Sequence, residues 1–324
     1  MTQLSRPSLP DDAFAGAATG DGELQRTVSY FGQPLLKKPH WEWNVVTYLF
    51  LGGIMGGSGI LAALADRSGN PNDRKLARNA KYASLVLAAA SPAILITHLG
   101  RPERFLNMLR IVKFKSPMSM GVWGLTAFAG VAFLNAAAEF FGIRTRIFNA
   151  PQALLGAFVA GYTGVLLSAT AIPLWAKGKY HIPAMCVCSG VAGACAFNAL
   201  LLARGHESDT LNRLERLELL AGAAEAAIVL DFARHAGDYG KPMYEGARGA
   251  KFRGFSLLAG IAAPAALNVA ALFTKPNPER KHSAGKTVLA AALTLLGGYV
   301  LRETLIEAGK ASADDPSVAF RQPE

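Results

Sequence analysis

Charge is scarce in this 324-residue chain: 17% of residues are charged, against about 25% in a soluble domain. Cysteine is scarcer. Cys186, Cys188 and Cys195 are the only three, and all fall in one apolar stretch. With no fourth partner and no CxxC spacing, they do not hold an iron–sulfur cluster by themselves; small core residues is the plain reading. The six histidines, His40, His98, His181, His206, His235 and His282, sit at the ends of apolar stretches or between them. A membrane cytochrome b needs histidine pairs inside facing helices, so no haem is expected. The absence of a Walker motif excludes ATP-driven transport. A net charge of +10 comes without a basic stripe interleaved with aromatics, so it does not point to nucleic acid.

Apolar residues are abundant, at 51%, and the charges cluster in short segments between long hydrophobic runs. Runs of about 20 apolar residues are membrane spans by length. They are continuous, without period-2 alternation, which favours helices over a barrel. Eight spans are expected, near Trp43–Ala65, Ala80–Leu99, Met118–Phe141, Pro151–Trp175, Ile182–Ala203, Leu214–Ala233, Phe252–Phe273 and Thr287–Glu307. The sixth is weakened by Glu215, Glu218, Glu225 and Asp231, and the eighth carries Arg302 and Glu303 near its end. The fold class is an all-α integral membrane protein. Residues 1–42 form a polar N-terminal tail, 43–309 the membrane domain and 310–324 a polar C-terminal tail. The N-terminal tail lacks the apolar core of a signal peptide. An even number of spans puts both termini on one side. Lys and Arg are nearly balanced between the two sets of loops, so the positive-inside rule does not orient the chain. Some of these cations are then expected to dock a partner or lipid headgroups.

Ionisable and polar groups within spans are costly and point to function. The first span opens "HWEWNVVTYLFLGGIMGG". His40 and Asn44 share a helix face, as do Asn44 and Tyr48. With Glu42, Trp41 and Trp43 they either anchor a helix end among headgroups or form an aromatic-walled pocket suited to a quinone headgroup. Gly53 and Gly57, with Gly52 and Gly56, form GxxxG pairs that allow close helix packing. In "AGYTGVLLSATAIPLW" of the fourth span, small neighbours leave room beside Tyr162, and Pro173 is expected to kink or end the helix near Trp175. On the sixth span, Glu218 and Glu225 share a face. Glu225 and Asp231 are proton-path candidates, while Glu215 and Glu218 are expected in the interface, paired with Arg213 or Arg216.

One stretch changes character twice: "ITHLGRPERFLNMLRIVKFKSPMSMGVWG". Gly100 permits a helix exit, Pro102 prevents its continuation, and Ser116 is placed to cap the next helix. Arg101, Arg104 and Arg110 are left for a docking surface, or the segment is simply a basic loop.

Taken in order, "YLFLGGIMGGSG", "HLGRPERFLNML", "SPMSMGVWGL", "YTGVLLSATAIPLW" and "LGGYVLRETLIEAG" resemble the NrfD / polysulfide reductase membrane-subunit family. The resemblance runs from Trp43 to Gly309. It implies eight transmembrane helices as two four-helix bundles, without haem, in the cell inner (cytoplasmic) membrane. It also implies a site for quinone or quinol (menaquinone or ubiquinone), with His40, Asn44 and Tyr162 at the matching positions and Tyr48 beside them. It implies an iron–sulfur electron-transfer subunit as partner, linked to a catalytic subunit that is a molybdopterin enzyme or a multihaem cytochrome. Arg101, Arg104 and Arg110 would dock that partner, and Glu42, Glu225 and Asp231 would carry protons. Two rival readings are a secondary transporter with broken helices at Pro92 and Pro264, and a purely structural anchor.

Overall fold

The computed structural model describes residues 36, 39–97, 105–143, 146–203, 208–269 and 283–314. Among them every regular element is helical. Six helical stretches are long and apolar enough to cross a membrane: Trp43–Ser68, Pro71–Thr97, Pro117–Phe140, Arg146–Ser168, His181–Leu202 and Ala284–Asp314. The protein is therefore an integral membrane protein.

The first span is α1 (Trp43–Ser68), and α2 (Arg74–Thr97) follows a short 3-10 turn. A short helix α3 (Phe105–Arg110) precedes α4 (Pro117–Phe140), which Ser116 caps as expected by accepting from the Ser119 N–H at 3.5 Å. Then come α5 (Asn149–Ser168), the short α6 (Pro173–Lys177) and α7 (His181–Leu202). The second half holds α8 (Ser208–Ala236), α9 (Lys241–Tyr244) and α10 (Gly246–Lys251). A π-helix, Phe252–Ala262, leads into α11 (Ala263–Asn268), and α12 (Ala284–Asp314) ends the described residues.

Two expected boundaries are corrected. The fourth span ends at Ser168, because Ala169 bonds back to Val165 and Thr170 to Leu167; Pro173 instead starts α6, where its missing N–H costs nothing. The last helix continues past residue 310 to Asp314, its end held by the Ser312 hydroxyl accepting from the Leu174 N–H. The expected sixth span lies within α8, which is helical over 29 residues but too charged to count as a crossing by composition. The expected seventh is helical through Asn268 but split between π and α register, and its end lies outside the described residues.

Between helices in lipid there is little hydrophobic drive, so association depends on close packing and interhelical polar bonds. The central helix is α1: 72% of its apolar stretch is buried, against 28% for α4 at the periphery. It packs on α2, α5, α7 and α12. Its glycines make this possible. A Cβ on Gly57 would lie 2.5 Å from the Gly190 carbonyl oxygen of α7, and one on Gly56 would overlap the Gly156 carbonyl of α5. Helices α1, α2, α4 and α5 form one neighbouring group; α7 and α12 contact α1 and carry α8 and the π-helix on their far side.

Polar clusters join the helices at one end. Lys81 of α2 lies 2.6 Å from Asp66 and 3.1 Å from Glu139. Asn149 donates to Asp66, and Asn135 donates to both Asn149 and Gln152. Arg213 and Thr210 of α8 both reach Asp73. Here the hydrogen bonds replace the water that the bilayer excludes.

Candidate functional site

At the opposite end, α1 to α5 enclose a cavity of about 360 Å³, within the range of small-molecule sites. Trp41, Val45 and Tyr48 line it from the head of α1. Ala88, Pro92 and Leu95 come from α2, Met108 and Leu109 from α3, Met118, Gly121 and Leu125 from α4, and Tyr162 and Leu166 from α5. The walls are almost wholly apolar, so the two phenols stand out.

Each wall has a local cause. Pro92 lacks an N–H, so the Ala88 carbonyl one turn earlier loses its helical donor, and both residues line the cavity. Ser91 meanwhile donates to the Tyr48 carbonyl at 3.2 Å, tying α2 to α1 at this level. Gly121 leaves the space that the Tyr162 ring fills; a Cβ there would overlap the ring. Tyr162 donates to the Pro117 carbonyl at 2.5 Å and stacks on Phe158. The Tyr48 hydroxyl makes no hydrogen bond among the described residues. Trp41 is held by two contacts outside the cavity. Its ring stacks on Trp175 at 5.1 Å, and its carbonyl accepts from Lys310 at 2.6 Å. Trp175, fully buried, donates to the Leu305 carbonyl at 2.8 Å.

Of the residues expected to bind quinone, the structure brings Tyr48 and Tyr162 together in this cavity. Asn44 is buried beside it, donating to Thr97 at 3.4 Å with its Oδ1 unpartnered, and is not among the lining residues. His40 is exposed just before α1 and is not a lining residue either. Of the expected proton carriers, Glu42 is the exposed N-cap of α1, and Glu225 is 4% exposed inside the bundle. The Asp231 side chain is 70% exposed at the end of α8, with its carboxylate 2.9 Å from His181 Nε2. Of the expected docking residues, Arg110 is exposed at the end of α3, while Arg101 and Arg104 lie outside the described residues.

For Glu215 and Glu218 the structure shows partners other than Arg213. Both are buried. Glu215 pairs with Lys286 of α12 at 3.0 Å, and Glu218 accepts from Thr294 and Asn268. Arg213 is used by Asp73 instead. Sequence reading noted Arg302 only as a charge near the end of the last span and gave it no role; it is 1% exposed and donates to Ser189, to the Gly298 carbonyl and to the Cys186 carbonyl. Its signal was present: an arginine within an apolar run with serine as a small partner on another span.

The protein belongs to the family described as polysulphide reductase, NrfD, whose pattern matches residues 35–313. It is 26% identical over 312 residues to the C subunit of polysulfide reductase from Wolinella succinogenes, a match covering 83% of this protein and 94% of that one. It is similarly 26% identical over 311 residues to the protein NrfD homolog of Haemophilus influenzae, covering 83% and 94%.

Proposed function

We propose that this protein is the haem-less, quinone-reactive membrane anchor of a respiratory oxidoreductase complex in the cell inner membrane. The observation that carries the reading is the cavity itself: an apolar slot of about 360 Å³ lined by the two phenols of Tyr48 and Tyr162. An apolar, aromatic-walled volume with few polar groups fits a quinone ring, whose two oxygens need a small number of donors. A bound quinol would supply two electrons and two protons, and a bound quinone would take up the same number. Tyr48 is placed to donate to a ring oxygen; Tyr162, whose proton is held by the Pro117 carbonyl, can accept from a quinol hydroxyl and is fixed before the ligand arrives, which avoids an ordering cost on binding. Trp41 forms the aromatic wall, and Asn44 and His40 flank the approach from the helix head.

The Wolinella relative is named as one subunit among several, and that name supports an assembly with other subunits. The partner is an iron–sulfur subunit that exchanges electrons with the cavity and leads to a molybdopterin enzyme or a multihaem cytochrome. Arg110, with Lys113 and Lys115 exposed nearby and Arg101 and Arg104 just upstream, gives it a basic docking surface beside α3. Glu42 at the head of α1 takes protons between cavity and water, and Glu225 and Asp231 serve the same purpose along α8. In this reading α8 and the Gly246–Asn268 stretch are the remaining crossings, giving eight helices in two groups of four.

The test is quinol turnover by the assembled complex with Tyr48→Phe and Tyr162→Phe. Loss of turnover in an intact complex supports the cavity; unchanged turnover in both variants leaves a purely structural anchor.

A further inference from the structure

A second cavity, of about 150 Å³, lies between α8, the π-helix, α11 and α12, well away from the phenols. Glu218 and Glu225 line it from two turns of one face of α8. Glu218 is ten residues into the 29-residue α8, about 15 Å along its axis from the helix start.

The charges around this cavity are unevenly matched. Glu215 of α8 is paired with Lys286 of α12. Glu225 faces Arg302 of α12 across Ser189 of α7. Glu218 is 6% exposed, and its donors among the described residues are neutral: Thr294 Oγ1 at 2.5 Å and Asn268 Nδ2 at 3.2 Å. Glu215 and Lys286 act on it from a distance with opposite signs, and the Cys195 thiol of α7 is a further titratable neighbour. Among the described residues, no lysine or arginine forms an ion pair with the Glu218 carboxylate. An ion in so dry a place is costly without a counter-charge.

Two further features point to an occupant. Asn268 is 1% exposed and lines the cavity, and its Oδ1 has no partner. The backbone also changes register here: Ala263 bonds five residues back, to Leu258, while Val269 bonds four back, to Ala265. Pro264, between them, has no N–H. At least one carbonyl among residues 259–261 is left without a helical donor, beside cavity-lining Gly260. In a membrane, a backbone freed from helical bonding is tolerated where it is buried in protein or lines a cavity, and transporters use the carbonyls of broken helices to hold Na⁺ or H⁺.

We propose that this cavity is a monovalent-cation site centred on Glu218. It takes a proton on the carboxylate, or a sodium ion among Glu218, Glu225, the Asn268 amide oxygen and the freed carbonyl. One unmatched carboxylate calls for one positive charge, which disfavours a divalent ion.

A hydrophobic carbodiimide tests this on the purified full-length protein in its native complex, because it forms a stable adduct only with a protonated carboxyl in an apolar place. Peptide mass spectrometry should find the adduct at Glu218, and its yield should fall about tenfold per pH unit above the titration point. Sodium chloride against choline chloride separates the two occupants. Protection by sodium, lost in Asn268→Leu, marks a sodium site; dependence on pH alone marks a proton site. No adduct at Glu218 at any pH, or a yield indifferent to both pH and sodium, overturns the proposal. The wild-type measurement does not depend on whether Glu218→Gln folds; that variant, where it does, should lose the adduct.

Discussion

The hydroxyl of Tyr162 lies 2.5 Å from the carbonyl oxygen of Pro117, joining α5 to the first residue of α4 across 45 positions of sequence. One phenol thus sets the width of the cavity between these two helices. Its partner is a backbone carbonyl, so its position does not depend on another side chain's rotamer.

Tyr162→Phe should remove this bond at a stability cost of about 1 kcal/mol, a small shift in thermal melting. Quinol turnover of the assembled complex should fall about tenfold or more if the hydroxyl orients the ligand, since about 1.4 kcal/mol is a factor of ten. Melting and turnover measured on the same preparation separate the two effects.

Gly121→Ala places a methyl group where the Tyr162 ring sits. Overpacking of this kind costs about 1–3 kcal/mol, and the displaced ring changes the wall that Tyr162 gives to the cavity. A raised KM for quinol with the complex still assembled is the expected result. Gly130→Ala, on the same helix but with open space around it, is the control and should be silent.

Trp175→Phe deletes the indole bond to the Leu305 carbonyl, which keeps its own helical donor, at a cost of about 1 kcal/mol. Because Trp41 stacks on Trp175, the substitution should also loosen the cavity wall. Both effects are read by melting in detergent and by the KM for quinol.

Arg302→Ala leaves Ser189, two carbonyls and the field at Glu225 without their cation, a loss of about 3–5 kcal/mol for a buried charge network. Arg302→Lys should not restore stability, because a single ammonium cannot place two nitrogens on acceptors from α7 and α12 at once. Yield of folded protein by size-exclusion chromatography checks both.

Arg110→Glu should weaken retention of the partner subunit about tenfold, with more loss as salt rises, since exposed charges are screened over about 10 Å at 0.1 M. Co-purification at increasing ionic strength measures it, and melting of this subunit alone should not change.

The spans were legible because a bilayer imposes length and apolarity on each helix separately. The glycines of α1 were legible as packing sites for the same reason: no side chain was needed to interpret them. Boundaries were less so. Pro173 reads as a helix end in sequence, yet the helix stops at Ser168 and the proline opens a new one. Tyr48 and Tyr162 were each visible as polar residues in apolar runs, but nothing in their order along the sequence says that they share one cavity.

The partners of the buried charges were least legible. Helical spacing offered Arg213 and Arg216 to Glu215 and Glu218, because local rules see only one helix. The true partners, Lys286, Thr294 and Asn268, are between 50 and 76 residues away. By itself the sequence determined an all-helical membrane protein with polar groups at a few depths, since the lipid constrains each segment alone. The tertiary structure decided which helices are neighbours. That choice depends on small residues letting backbones approach and on each buried polar group finding a donor, and these are properties of pairs of helices.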